Sequence, residues 1–311
     1  MKEKPTYKGM TIFFYGTERN TFDPVDFDNN LEKIAGLGVN TIVLIPYGFQ
    51  ETISSNHITR DDPRSIPDAD FISACNRVVK RGFTLVVKPH VDVNTGDPRA
   101  DIIPSDRPAW KASYLKFILH YAHLADTLGA HIFCVGTELT ALSQDTHLWH
   151  EIIDSCRSRF RGLLTYSSCP QEVLSVQFWN KLDYIGANAY FPVSKRNNPM
   201  LEDMLFSWAS WKEMLRDVSL SHHRDVLLTE IGYMNHTLAA ENPGSFEHKG
   251  DRDDRLQADC YRAALIASEK MDFLHGMFWW QWELNDRGDT AAIDYTPRGR
   301  PAERVVKEYW Q

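Results

Sequence analysis

Short apolar runs alternate with amphipathic stretches from one end of the chain to the other. Residues 9–14, 41–46, 84–90, 133–138, 162–168, 182–190, 226–230 and 276–284 are bulky or β-branched and too short for independent helices. They read as buried strands of a sheet covered on both faces. Between most of them lie segments with helical spacing. Residues 26–37, for example, place apolar side chains at Leu31, Ile34, Ala35 and Leu37 before a glycine stop at Gly38. Similar segments span 71–81, 110–128, 149–160, 201–219, 255–270 and 301–310.

Eight strands alternating with about eight helices require right-handed crossovers and a parallel sheet. That many units in 311 residues favour closure, so the expected fold is α/β, a single (β/α)₈ TIM barrel spanning residues 1–311 as one catalytic domain. No Gly-x-Gly-x-x-Gly follows the first strand, which argues against a dinucleotide-binding sheet. The longest connections all follow strands. In a barrel, those connections build the mouth where chemistry sits. The eighth strand, Gly276 to Leu284, carries three tryptophans towards that mouth.

Composition narrows the partners. Apolar residues are 43% and charged residues 24%, as in a soluble globular protein, and the net charge of −8 argues against nucleic acid. Nine Trp and twelve Tyr suit either core filling or the flat faces of sugar rings. Cys75, Cys134, Cys156, Cys169 and Cys260 form no CxxC pair, and buried free thiols suit a reducing compartment. No apolar run is long enough to cross a membrane, and Met1-Lys2-Glu3-Lys4-Pro5 leads into no signal sequence. The expectation is a cytoplasmic protein, or a secreted one whose leader has been removed, acting as a monomer or weak homo-oligomer with no membrane partner.

Two strands end on a glutamate: Phe133-Cys134-Val135-Gly136-Thr137-Glu138 and Val226-Leu227-Leu228-Thr229-Glu230. A carboxylate at an apolar strand end is costly unless it is partnered or used. Facing each other across one mouth, the two form a candidate acid/base pair for hydrolysis of a glycosidic bond. One would protonate the leaving oxygen while the other attacks or stabilises the sugar cation. The alternative is that each is ion-paired to an Arg or Lys of the mouth.

The sequences Gly136-Thr137-Glu138-Leu139 and Leu228-Thr229-Glu230-Ile231-Gly232-Tyr233 resemble the retaining glycoside hydrolases built on (β/α)₈ barrels. Within that clan the chain is most similar to glycoside hydrolase family 113, the β-1,4-mannanases. Lys8-Gly9-Met10, Lys88-Pro89-His90, Phe278-Trp279-Trp280-Gln281-Trp282 and Thr296-Pro297-Arg298-Gly299-Arg300-Pro301-Ala302 carry that likeness across nearly the whole chain. The resemblance implies that Glu138 is the acid/base, Glu230 the nucleophile and an oligo- or polysaccharide of β-1,4-linked mannose the substrate. One position departs from the clan: Thr137 stands where many members carry an Asn that meets the sugar 2-hydroxyl. Asn188 and His90 are the candidates to replace that contact.

Further site residues follow from strand ends. A phenol at Tyr190 could hydrogen-bond the nucleophile; simple packing is the alternative. His90 could donate to a sugar hydroxyl or a catalytic carboxylate, or be a satisfied structural histidine. Trp280 and Trp282 fall on one side of the eighth strand with Phe278. If that side faces inward, Trp282 stacks on a sugar at the mouth and Trp280 lies one layer deeper; the opposite register puts Trp282 against the outer helices. Tyr15, Glu18, Tyr47 and Phe191 also follow strands and could line subsites. The loop 236–254 could shape one end of the cleft. No His/Asp/Glu spacing suits a metal, and neither a metal nor a cofactor is expected. The alternative functions are retaining hydrolysis of another β-glycan, a glucan or galactan, and a barrel that binds carbohydrate without cleaving it.

Overall fold

Alternating side chains along the apolar runs sort to the two sides of a closed parallel sheet. The computed structural model describes residues 6–14, 21–196, 198–246, 250–284 and 292–311. Among the described residues ten strands form: β1 (Tyr7–Phe13), β2 (Thr41–Ile45), β3 (Tyr47–Gln50), β4 (Thr84–Val87), β5 (His90–Val93), β6 (Ile132–Thr137), β7 (Leu163–Ser168), β8 (Tyr184–Asn188), β9 (Val226–Ile231) and β10 (Leu274–Trp279). Eight of them close a barrel in the order β1-β10-β9-β8-β7-β6-β4-β2, with β2 paired back to β1. Around it run α1 (Pro24–Ala35), α2 (Asp68–Lys80), α3 (Arg107–Thr127), α4 (Thr140–Ser143), α5 (Thr146–Arg157), α6 (Leu201–His222), α7 (Asp254–Ser268) and α8 (Pro301–Trp310). The described residues thus form the expected TIM barrel. Among them, no helix is long and apolar enough to cross a membrane.

Val43, Ile45, Val86, Ile132, Leu227 and Phe278 belong to the cluster that fills the barrel. Their strand neighbours Ile42, Leu44, Leu85, Val87, Phe133 and Met277 belong to the larger core beneath the helices. Gly9 leaves room for the Phe278 ring; a Cβ there would lie 2.2 Å from it.

Helix starts follow local chemistry. Asp23 accepts from the Val25 and Asp26 amides ahead of Pro24, and Asp106 accepts from the Ala109 amide. Such caps satisfy amides that the first helical turn leaves free. The Asp106 cap starts α3 at Arg107, one turn before the position that apolar spacing suggested.

Proline changes the third strand. The expected run 84–90 divides at Lys88 and Pro89 into β4 and β5, and β2 and β3 are likewise separated by Pro46. Beyond the two prolines, β3 and β5 pair in parallel, with Tyr47 opposite His90 and Gln50 opposite Val93. Proline has no N–H to give the barrel ladder, so the strands leave the barrel there and re-pair above it. This two-stranded extension raises one wall of the mouth.

Candidate active site

Glu138 and Glu230 open onto one cleft of about 620 Å³, which is also lined by Phe13, Tyr47, Phe49, Arg99, Cys169, Tyr190, Phe246 and Trp280. Glu230 lies near the carboxyl end of β9, and Glu138 is the first residue after β6. Their elements explain their poses. Glu230 has its backbone in the sheet opposite Asn188 of β8. Glu138 leaves the sheet with φ of 53°, a left-handed turn unusual for a residue with a side chain.

Glu230 is enclosed by donors. The Lys88 ammonium contacts its Oε1 and also donates to the Thr229 carbonyl at 3.3 Å. The Tyr190 hydroxyl donates to Oε2 at 2.7 Å. Burial, reinforced by the charge of Glu230, holds the Tyr190 phenol well above its usual pKa, so it remains a donor. His90 Nε2 stands 3.6 Å from Oε1. Burial, with the Arg99 and Lys88 charges, holds the His90 imidazole well below its usual range, so it is neutral. Cation and phenol O–H together complement a carboxylate.

Glu138 has a different environment. Asn188 Nδ2 donates to its Oε1 at 2.8 Å, and Arg99 Nη1 lies 3.5 Å from its Oε2. Arg99 is in turn paired with Asp92. Burial raises the Glu138 pKa above the usual glutamate value, and the neighbouring Glu230 charge pushes it the same way. Arg99, Asn188 and Lys88 pull against that rise without cancelling it. One carboxyl favours its protonated form while the other sits among donors, which is the division of labour an acid and a nucleophile need. The ion-pair alternative is therefore part of the site: Lys88 pairs with Glu230, and Arg99 approaches Glu138.

The other expected residues are distributed unevenly. Tyr190 and Trp280 line the cleft, and so does Tyr47. His90 is buried behind the cleft surface, its ring parallel to Trp280 at 6.0 Å and edge-on to Tyr47. Asn188 is fully buried, and its Oδ1 accepts from Ser167 and Thr229. Asn188 therefore supports a carboxyl directly, while His90 packs behind Glu230 without a hydrogen bond to it; neither lines the cleft where a sugar contact was expected of them. The Thr137 hydroxyl turns to the Pro89 carbonyl at 3.5 Å. Tyr15 and Glu18 lie outside the described residues. Phe191 is a correction: it is buried and stacks on Trp211 at 4.5 Å.

Trp282 is the main correction. Strand β10 ends at Trp279, so strict alternation no longer applies beyond it, and the Trp280–Gln281 peptide is cis. Trp280 turns to the cleft, but Trp282 is fully buried and donates through Nε1 to Asn30 Oδ1 of α1 at 2.8 Å. Its backbone N–H bonds the Thr11 carbonyl of β1. It anchors the chain beyond β10 and presents no surface to the cleft. The loop after β9 does shape the cleft, through Gly244 and Phe246.

Sequence reasoning gave no role to Lys88 or Arg99. Lys88 had a signal, a lone charge ending the apolar run Thr84-Leu85-Val86-Val87. Arg99 had none; it lies in a long polar loop, and only the fold brings it to Glu138. Among the described residues, no group of three or more His, Cys, Asp or Glu side chains could hold a metal ion.

Comparison with known proteins fits this arrangement. The model of Glycoside Hydrolase Family 113 matches residues 10–296. A solved GH113 β-1,4-mannanase complex aligns with a TM-score of 0.89 and 23% identity, covering 98% of this chain and 99% of the other. The GH113 β-mannanase of Alicyclobacillus acidocaldarius aligns with a TM-score of 0.87 and 25% identity, covering 98% and 97%. A β-glucuronidase from Ruminococcus gnavus shares the fold at 12% identity and a TM-score of 0.69, over 98% of this chain and 50% of its own. No match was found among curated proteins. The family match spans most of the chain, and two glutamates face one cleft at the carboxyl end of the barrel: the chain belongs to glycoside hydrolase family 113 and is an enzyme acting on a glycan.

Proposed function

We propose that the enzyme cleaves β-1,4-linked mannan or manno-oligosaccharides with retention of anomeric configuration. The observation that carries this reading is the contrast between the two carboxyls of one cleft, a raised-pKa Glu138 and a Glu230 held by Lys88 and Tyr190. The names of its structural relatives, β-1,4-mannanases, support the sugar and linkage.

In this mechanism Glu138 protonates the leaving glycosidic oxygen while Glu230 attacks the anomeric carbon. The bond to the leaving sugar breaks and a glycosyl ester forms on Glu230. Glu138, now deprotonated, takes a proton from water as the water attacks the anomeric carbon and Glu230 departs. Two inversions give net retention. Trp280 presents an indole at the cleft wall for the apolar face of a sugar.

The test is hydrolysis of manno- and cello-oligosaccharides by the wild type, Glu138→Ala and Glu230→Ala, with the anomer of the first product read by NMR. Cleavage of the mannosides alone, first released as the β-anomer and lost in both variants, is the expected result. An inverted product or a preference for cello-oligosaccharides would overturn the proposal.

A further inference from the structure

The mechanism gives no part to Glu172, yet this carboxylate is buried close beneath the acid/base. It lies in a short 3₁₀ turn (Glu172–Leu174) after β7 and is 2% exposed. Burial raises its pKa, opposed by hydrogen bonds from Tyr166, the Cys169 amide, Ser143 and Thr140. A carboxylate buried among uncharged donors is costly to maintain and calls for a reason.

Its partners lead to Glu138. The Tyr166 hydroxyl donates to Glu172 Oε1 at 2.6 Å. The Tyr166 hydroxyl oxygen in turn accepts from the Leu139 amide at 2.9 Å. Glu172 Oε2 accepts from the Cys169 amide at 2.8 Å and from Thr140 Oγ1 at 3.1 Å. Leu139 and Thr140 directly follow Glu138, and Cys169 lines the cleft beside it. Meanwhile the Glu138 amide donates to the Ser167 carbonyl at 2.8 Å. The left-handed Glu138 is thus held on both sides: before its Cα by β7, and after it through Tyr166 and Thr140 by Glu172. Tyr166 can accept from Leu139 only while its proton points elsewhere, and Glu172 Oε1 is where it points. Outliers of this kind persist where the surroundings over-determine them.

We infer that Glu172 is a positioning residue for the acid/base, fixing the backbone turn that aims the Glu138 carboxyl at the glycosidic oxygen through Tyr166 and Thr140. Glu172 touches no substrate. The inference rests on the assignment of Glu138 as acid/base and predicts a particular kinetic defect. Misplacing the acid slows steps that need proton transfer and spares steps that do not.

The test compares Glu172→Gln, Tyr166→Phe and Glu138→Ala on a manno-oligosaccharide and on dinitrophenyl β-mannobioside, whose leaving group needs no protonation. In Glu172→Gln the amide cannot accept from both Tyr166 and Cys169. Its kcat on the oligosaccharide should fall about 100-fold, the scale of general acid catalysis. The dinitrophenol burst should remain near wild type, because forming the glycosyl-enzyme needs no acid there. Azide should then raise steady-state turnover: it attacks the anomeric carbon with no proton to lose, Glu230 leaves as carboxylate, and a β-glycosyl azide forms. Tyr166→Phe should show a weaker form of the same pattern and serves as the test if Glu172→Gln does not fold. Equal losses on both substrates without azide rescue, in folded variants, would overturn the inference while rescue in Glu138→Ala left the acid/base assignment standing. Absence of rescue in Glu138→Ala itself would overturn that assignment.

Discussion

Asn188 holds Glu138 with one end of its amide and is fixed at the other by Thr229, the residue before Glu230. Its Nδ2 donates to Glu138 Oε1 at 2.8 Å, and its Oδ1 accepts from Thr229 Oγ1 at 2.9 Å and Ser167 Oγ at 2.7 Å. One buried side chain therefore sets the acid/base relative to the strand that carries the nucleophile. Asn188→Ala removes the tether without touching Lys88 or Tyr190. A hydrogen bond to a neutral group is worth about 0.5–1.5 kcal/mol, so kcat should fall about 2- to 10-fold with a smaller change in KM. Steady-state kinetics on manno-oligosaccharides check this; a change confined to KM would show that Asn188 acts on binding instead.

The Lys88–Glu230 pair should behave as a buried ion pair. Both side chains are almost wholly enclosed, 1% and 5% exposed. Removing one partner of such a pair leaves an uncompensated buried charge and costs about 3–5 kcal/mol. Lys88→Met should therefore lower stability by that order and abolish turnover together, because the deleted charge faces the nucleophile. Denaturant unfolding followed beside activity checks both. Full activity in a destabilised Lys88→Met protein would exclude any part for the ammonium in the reaction.

The alkaline limb of the pH profile should belong to Glu138. As an acid it works while protonated, so activity falls as pH rises through its pKa, and burial places that pKa above the usual glutamate value of 4.5. Arg99 opposes the rise. Arg99→Gln removes the opposing charge and leaves Asp92 without its partner, a second push in the same direction. The alkaline limb of kcat/KM should move to higher pH. A shift to lower pH, or no shift, would show that another group sets that limb.

The barrel was legible because its signals are local and repeated: eight apolar runs, glycine stops and long loops after strands. Glu138 and Glu230 were legible because a carboxylate closing an apolar strand breaks a pattern. What surrounds them was not. Arg99, paired with Asp92 of β5, meets Glu138 through the fold of a long loop, and Glu172 reaches it through a tyrosine from another strand. His90 and Asn188 were found at strand exits, but strand position alone does not tell a side chain that bonds a carboxyl, as Asn188 does, or packs behind one, as His90 does, from one that meets the sugar. The two prolines are visible in the sequence; that the strands beyond them pair again is a consequence of their shared register.

Trp280 and Trp282 separate the two meanings of an aromatic at a strand end. Counting by twos puts both indoles on one face, but the sheet ends at Trp279 and the two diverge. Trp280 lines the cleft. Trp282 bonds Asn30, whose Nδ2 in turn donates to the Leu284 carbonyl at 3.1 Å and ties the segment to α1. Trp280→Ala should lower kcat/KM on manno-oligosaccharides by roughly thirtyfold, the effect of losing about 2 kcal/mol at a tryptophan anchor. Trp282→Phe keeps an aromatic ring but removes the fused second ring of the indole together with its N–H, leaving a small cavity and Asn30 Oδ1 buried without that donor. It should cost about 1–3 kcal/mol of stability and leave KM unchanged. Melting curves and kinetics on the two variants distinguish the roles: a raised KM in Trp282→Phe at full stability would return that residue to the sugar-binding surface.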